Sequence, residues 1–132
     1  MKDIDALDLP LDLRYSTDHG WVRQDGELVV IGITDYAQDQ LGDVVYVGLP
    51  ETDCEFDANQ EYGSVESVKS VSELLMPVAG TVVAVNTKLE DAPELVNDAP
   101  YSDGWLLKIR PTAPATINDL MDSGAYRAMI SA

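Results

Sequence analysis

The stretch "GWVRQDGELVVIGI", residues 20–33, constrains the fold more than any other. Two apolar, β-branched runs lie either side of Asp25-Gly26, a dipeptide with the turn chemistry of a tight antiparallel hairpin. Further short strand patterns follow, each closed by a breaker: "DVVYVGLP" ends at Pro50, "TVVAVN" begins after Gly80, and "GWLLKIRP" ends at Pro111. A chain organised this way is mainly β. Between the strands, "ITDYAQDQLG" predicts a short helix, with Asp35 and Gln38 as a capping box and Gly42 as a left-handed stop. Thr87 and Glu90 form a second such pair opening a helical turn, and "DAPELVND" predicts another with Pro93 in its first turn. In the tail, residues 116–130, Ile117, Leu120 and Met121 share one apolar face and Tyr126, Met129 and Ile130 another. One or two short amphipathic helices are expected there, interrupted at Gly124.

A length of 132 residues suits a single domain, here 1–132, with residues 1–13 expected to be loose. Eight Lys and Arg face 24 Asp and Glu, a formal net charge of −16. That field repels phosphate backbones and anionic lipid, so neither nucleic acid nor a membrane is an expected partner, whereas a basic protein surface is. Solubility alone also accounts for the acidity. Adaptation to a high-salt host is a third reading, which a fold fully stable in dilute buffer would contradict. Cys54 stands alone, which excludes an internal disulfide and a cysteine-rich metal site. No run approaches the roughly 20 apolar residues that span a bilayer. The N-terminus resembles neither a signal nor a transit peptide, so a cytoplasmic chain is expected, or a mitochondrial-matrix one if the chain is a trimmed organellar form.

One segment fits this plan awkwardly. "GSVESVKSVSEL", residues 63–74, carries Lys69, one of only four lysines, where a strand would be expected to continue. Folded about Val68-Lys69, it becomes a hairpin in which Ser67 faces Ser70, Glu66 faces Val71 and Val65 faces Ser72. Val68-Lys69 lacks the Gly, Asn or Asp that tight turns prefer. Asn59, ten residues before the lysine, and Gly80, eleven after, are types that accept left-handed backbone at bends. A lysine at such a tip is either a solubilising surface residue or the anchor of a swinging group, and spacing alone leaves both open.

The segment "ESVKS" resembles the lipoyl-attachment motif of the glycine cleavage system H protein family. The resemblance extends through "STDHGWVR", "GITDYAQDQLGDVVYV", "VGLPE", "LEDAPELVNDAPYSDGWLLKI" and the helical tail, covering about residues 14–130. Biotin carriers, by contrast, typically place Met on both sides of their lysine. The chain departs from the family pattern at Gly20, usually an acid, at Ser70, often Ala, and at Asn59, commonly Gly. The resemblance implies a flattened barrel or sandwich of two small sheets, the hybrid shared by lipoyl and biotinyl carriers, with short flanking helices and a C-terminal helix. It implies lipoic acid in amide linkage on Lys69, and recognition of the hairpin by a lipoate ligase or lipoyl/octanoyl transferase through Glu66 and Gly80. It also implies a cleft for the loaded arm near His19, in the family's DHxWV stretch. The implied partners are a pyridoxal-phosphate glycine decarboxylase, a tetrahydrofolate-dependent aminomethyltransferase and dihydrolipoyl dehydrogenase, served by a monomeric, non-catalytic carrier.

Blander or different roles stand beside these. Glu66 also reads as an ordinary exposed strand carboxylate, and His19 as an aromatic capping a strand edge. A lone His with scattered acids does not make a metal site. A hydrolase built on Cys54, His19 and an Asp would need a low-pKa thiol, and "TDCEFD" surrounds the thiol with carboxylates that raise it. A relay passing lipoate or octanoate from Lys69 to 2-oxoacid dehydrogenases would use the same lysine. A binding module that is never acylated would not.

Overall fold

The computed structural model describes residues 6–131. Nine strands form two open sheets, making the chain the mainly β, two-sheet protein expected. They are β1 (Arg14–Tyr15), β2 (Gly20–Asp25), β3 (Leu28–Ile33), β4 (Val44–Gly48), β5 (Glu55–Phe56), β6 (Glu61–Ser67), β7 (Val71–Leu75), β8 (Gly80–Val85) and β9 (Leu107–Pro111). The six-stranded sheet runs β1-β2-β3-β9-β8-β5 and the three-stranded sheet β4-β6-β7. Helices α1 (Asp35–Leu41), α2 (Leu95–Asp98) and α3 (Ser123–Ser131) flank them, with 3-10 turns at Thr87–Glu90 and Pro114–Asp119.

The run "LVVIGI" of β3 is continuously apolar because β3 is buried on both faces. Val29, Ile31 and Ile33 enter the core between the sheets, together with Val65, Val82 and Ile109. Val30 points the other way, into a second cluster with Leu7, Leu9, Leu13, Tyr15, Trp21 and Tyr126. Gly32 shares that face, and a Cβ there would sit 2.5 Å from the Trp21 indole. Two segments outside the sheets close this second core. The N-terminal stretch, within the part expected to be loose, packs Leu7, Leu9 and Leu13 against the sheet, each at most 6% exposed. Residues 1–5 lie outside the described residues. The other cover is α3, whose Tyr126 stacks on Tyr15 at 4.9 Å.

Several local expectations shift by a residue or more. Asp25 pairs with Leu28, so the hairpin loop is Gly26-Glu27 rather than Asp25-Gly26. Gly26 alone takes positive φ there, at 63°, as a type II′ turn requires of its first central residue. Helix α1 is capped by Thr34, whose Oγ1 accepts the Ala37 N–H at 3.2 Å, and not by Asp35. The Asp35 carboxylate instead accepts from Gln38 Nε2 and from the Asp8 N–H. Gly42 is the predicted left-handed stop, with φ 78°. Asn86, not Thr87, caps the following 3-10 turn by accepting the Lys88 N–H. In the tail the break falls before Ser123, and Gly124 lies inside α3. Ile117 and Leu120 join the inter-sheet core while Met121 packs on the second cluster, so the predicted three-residue face is divided between two cores.

Candidate functional site

The lysine hairpin forms with the register read from the sequence: Val65 opposite Ser72 and Glu66 opposite Val71. Its tip contains no positive φ, although tight hairpin turns favour one. Ser67 compensates. Its hydroxyl accepts the N–H groups of Lys69 at 3.2 Å and Ser70 at 3.1 Å, while its own N–H donates to the Ser70 carbonyl at 2.8 Å. The Val68 N–H donates to the Asp43 carbonyl at 3.0 Å, tying the tip to the chain entering β4. Every amide from Ser67 to Ser70 is thereby bonded, so the backbone is held while the Lys69 side chain stays exposed.

Asn97 of α2 supports the Asp43 anchor from behind. Its Nδ2 donates to the Gly42 carbonyl at 2.9 Å and to Gln38 Oε1 at 3.0 Å, and its Oδ1 accepts the Val44 N–H at 2.8 Å. Gly42 also leaves room for the lysine. A Cβ there would lie 3.2 Å from Lys69 Cε and 3.8 Å from Nζ. The amine thus rests over the C-terminus of α1, where the helix dipole favours a cation. Acylation would remove the charge and that attraction with it.

From Ser70, the residue after the lysine, a cleft of about 370 Å³ runs between β7 and α1 to His19 and Tyr36. His19 is itself held in left-handed backbone, φ 67°, by the turn joining Ser16 to Gly20. Its Nδ1 lies 2.8 Å from Tyr126 Oη, which is also 2.8 Å from Thr34 Oγ1. Burial lowers the His19 pKa, with the nearby Asp18 charge opposing more weakly, so the ring is neutral around pH 7. Burial also pushes the Tyr126 hydroxyl up to about 12, keeping its proton available for one of these bonds. The C-terminal helix therefore orients the ring at the far end of the cleft.

Of the residues singled out in the sequence, His19 lines the cleft, Lys69 precedes its Ser70 end, Glu66 pairs with Val71 on the same hairpin, and Gly80 lies apart from all three. Gly80 is buried in β8 of the other sheet, paired with Phe56 and Pro111. Its φ is not left-handed. What it supplies is space, since a Cβ would come 2.8 Å from the Arg110 carbonyl oxygen and 2.9 Å from Ile109 Cδ1. Asn59, in contrast, has the expected positive φ of 66° and donates its N–H to the Met76 carbonyl. Cys54 is half-buried beside β5, at the opposite edge of the six-stranded sheet from the β1–β2 edge near His19, so no Cys–His pair forms. Among the described residues no cluster of His, Cys, Asp and Glu is placed to hold a metal, and no helix is long and apolar enough to cross a membrane. Asn97 and Tyr126 went unremarked as site residues in the sequence, because their partners lie 53 to 107 positions away along the chain.

The family model for the glycine cleavage H-protein matches residues 13–132. The glycine cleavage system H protein of Chromohalobacter salexigens is 52% identical over 125 residues, covering 94% of this chain and 95% of its own length. That of Geobacillus kaustophilus is 51% identical over 125 residues, covering 95% and 98%. The crystal structure of a glycine cleavage system H protein from Mycobacterium marinum matches with a TM-score of 0.86 at 36% identity, over 94% of this chain and all of that one. A lysine raised on a braced hairpin beside a cleft is thus found within a match of sequence and fold along almost the whole chain, and the chain belongs to the glycine cleavage H-protein family, the lipoyl carriers of the glycine cleavage system.

Proposed function

We propose that Lys69 is the residue that carries the lipoyl group and that the cleft from Ser70 to His19 receives the loaded arm. The observation that carries this is the combination of a tip whose amides are all bonded and an exposed lysine side chain at the start of that cleft. As a family member the chain is a carrier subunit of the glycine cleavage system and not itself a catalyst. When attached, the lipoyl group supplies a redox-active pair of sulfurs on a flexible arm that takes up and releases a one-carbon amine cargo. The chain's own contribution is positional. Ser67 and Asp43 hold the base of the arm still, and Gly42 leaves its stem free of a side-chain clash. Neutral His19, fixed by Tyr126, presents a polar but uncharged wall, while the carboxylates of Asp18 and Glu73 border the same cleft and favour a protonated amine.

The partners on this reading are the pyridoxal-phosphate glycine decarboxylase, the tetrahydrofolate-dependent aminomethyltransferase and dihydrolipoyl dehydrogenase, with a lipoate ligase or lipoyl/octanoyl transferase installing the arm. Glu66 contributes charge beside the tip for that enzyme. Gly80 acts on the hairpin only through the backbone of the neighbouring sheet. The carrier works as a cytoplasmic monomer of one domain. Intact mass after incubation with lipoate ligase, lipoate and ATP tests the assignment. A lipoyl-sized gain that disappears in Lys69→Arg is expected; a wild-type protein that gains no mass, or a variant that still does, overturns it.

A further inference from the structure

Asp35, the first residue of α1, buries a carboxylate that capping the helix does not need, since Thr34 already accepts the Ala37 N–H. At 4% exposure such a group is costly to bury unless hydrogen bonds hold it. Its Oδ2 accepts the Asp8 N–H at 2.9 Å, and its Oδ1 accepts from Gln38 Nε2 at 2.7 Å. A carboxylate only accepts, so it fixes which end of the Gln38 amide faces it. Gln38 therefore turns its Oε1 the other way, toward Asn97, whose Nδ2 donates to it at 3.0 Å. That bond assigns the remaining Asn97 groups as well. Nδ2 gives its second proton to the Gly42 carbonyl at 2.9 Å, and Oδ1 accepts the Val44 N–H at 2.8 Å. Between Gly42 and Val44 stands Asp43, whose carbonyl accepts the Val68 N–H at the lysine tip. From Val44 inward, through Asn97 and Gln38, every donor points toward Asp35.

We infer that Asp35 is a positioning residue for Lys69: by orienting the Gln38 and Asn97 amides in series, it holds residues 42–44 and the Val68 bond that seats the tip. The inference rests on Lys69 as the lipoyl site. The network has no slack, because among the described residues no buried side-chain nitrogen or oxygen is without a partner. Reversing the Asn97 amide would set Nδ2 against the Val44 N–H and Oδ1 against the Gly42 carbonyl, donor on donor and acceptor on acceptor. Reversing Gln38 would do the same at Asp35 and at Asn97. The orientation set at the carboxylate is thus carried unchanged to the backbone beside the tip. The Ser67 bonds close the turn on itself, whereas the Val68 bond ties it to residue 43. How the tip stands against the rest of the fold therefore depends on residues 42–44. A lysine presented in one fixed place is acylated faster than one whose base wanders. The same carboxylate holds the Asp8 N–H, so the N-terminal stretch is latched to this network and not only to the second core.

The test compares wild type, Asp35→Ala, Gln38→Leu, Asn97→Ala and the double variant Asp35→Ala/Asn97→Ala. Each is followed by amide hydrogen exchange and by lipoylation with a lipoate ligase, lipoate and ATP. Gln38→Leu keeps the Asp8 bond to Asp35 and suits a helix, so it cuts the network without loosening the N-terminal stretch. In Asp35→Ala and Gln38→Leu the Val68 amide should exchange about fivefold or more faster relative to the Ser67 amide, as for loss of one hydrogen bond. In both, kcat/KM for lipoylation, read from intact mass against time, should fall about threefold or more. Adding Asp35→Ala to Asn97→Ala should change neither quantity by more than about 1.5-fold, because the network is already cut. An Asp35 that served stability alone would speed both amides alike, or would keep its full effect without Asn97, and either result overturns the positioning role. So does selective exchange with unchanged lipoylation, or an effect of Asp35→Ala that Gln38→Leu fails to reproduce. Thermal unfolding verifies that each variant is folded. Should Asp35→Ala not fold, Gln38→Leu with and without Asn97→Ala makes the same comparison. A wild-type protein that takes up no lipoyl mass overturns the Lys69 assignment itself, while the Val68 to Ser67 exchange ratio still judges the network.

Discussion

Replacing Tyr126 by phenylalanine removes one oxygen atom from the wall between the arm cleft and the C-terminal helix. The ring itself remains, with its 4.9 Å stacking on Tyr15, so the second core keeps its packing. The lost oxygen lies 2.8 Å from both His19 Nδ1 and Thr34 Oγ1. Thr34 is fully buried but still accepts the Ala37 N–H, so only one of its bonds is lost. His19 borders the cleft, where water can take up part of the vacancy. Two net hydrogen bonds at about 1 kcal/mol each set an expected loss of about 1–2 kcal/mol, rising to about 3 if the Thr34 hydroxyl finds no new acceptor. For a chain of this size a loss of about 1–2 kcal/mol is a fall of roughly 4–7 °C in Tm. Urea denaturation at pH 7.5 should show a lower midpoint at unchanged m. A double-mutant cycle with Thr34→Val should return a coupling of about 1 kcal/mol. If Tyr126→Phe matches wild type within about 0.3 kcal/mol, or the two substitutions simply add, the bridge between helix and cleft has no energetic content and the reasoning fails.

Gly80→Ala should destabilise the fold by about 1–3 kcal/mol, because its Cβ meets the Arg110 carbonyl on the paired strand; a thermally unchanged variant would refute that. Asn97→Ala should accelerate hydrogen exchange of the Val68 amide, whose acceptor is the Asp43 carbonyl, more than that of the Ser67 amide held within the hairpin. Equal acceleration of both would show that Asn97 does not position the tip. The lowered pKa of His19 means that the native state binds its proton less readily than the unfolded chain, whose value is about 6.5. Its contribution is therefore intact above pH 6.5 and declines as pH falls from there toward the folded value. The stability difference between wild type and His19→Gln, followed by urea titration across this range, should narrow on acidification; a difference that widens would contradict the sign.

Much of the site was legible because it is local. Hairpin partners in the 65–72 segment are set by which residues are small or apolar and by where a two-residue tip can fit, so Glu66 opposite Val71 followed from spacing. Asn59 showed its left-handed bend through residue type alone. The Val68-Lys69 turn looked unsuitable because the compensating group is a side chain: the Ser67 hydroxyl does the work a Gly or Asn backbone would do. Gly80 was expected to accept a left-handed bend and does not; what it supplies is space, and crowding by β9 cannot be seen from β8 alone.

The sequence by itself determined the strand-rich architecture, the lysine hairpin and its register, because alternation, turn residues and breakers act over a few positions and leave their mark in order along the chain. Tertiary structure decided which face of β3 met which core and that the leucines of the N-terminal stretch cover the second one. It also decided that Asn97 braces the tip and that Tyr126 fixes His19. Those outcomes depend on contacts between segments tens to more than a hundred residues apart. Each is selected by the volume left, and the hydrogen bonds left unmade, once the sheets have packed.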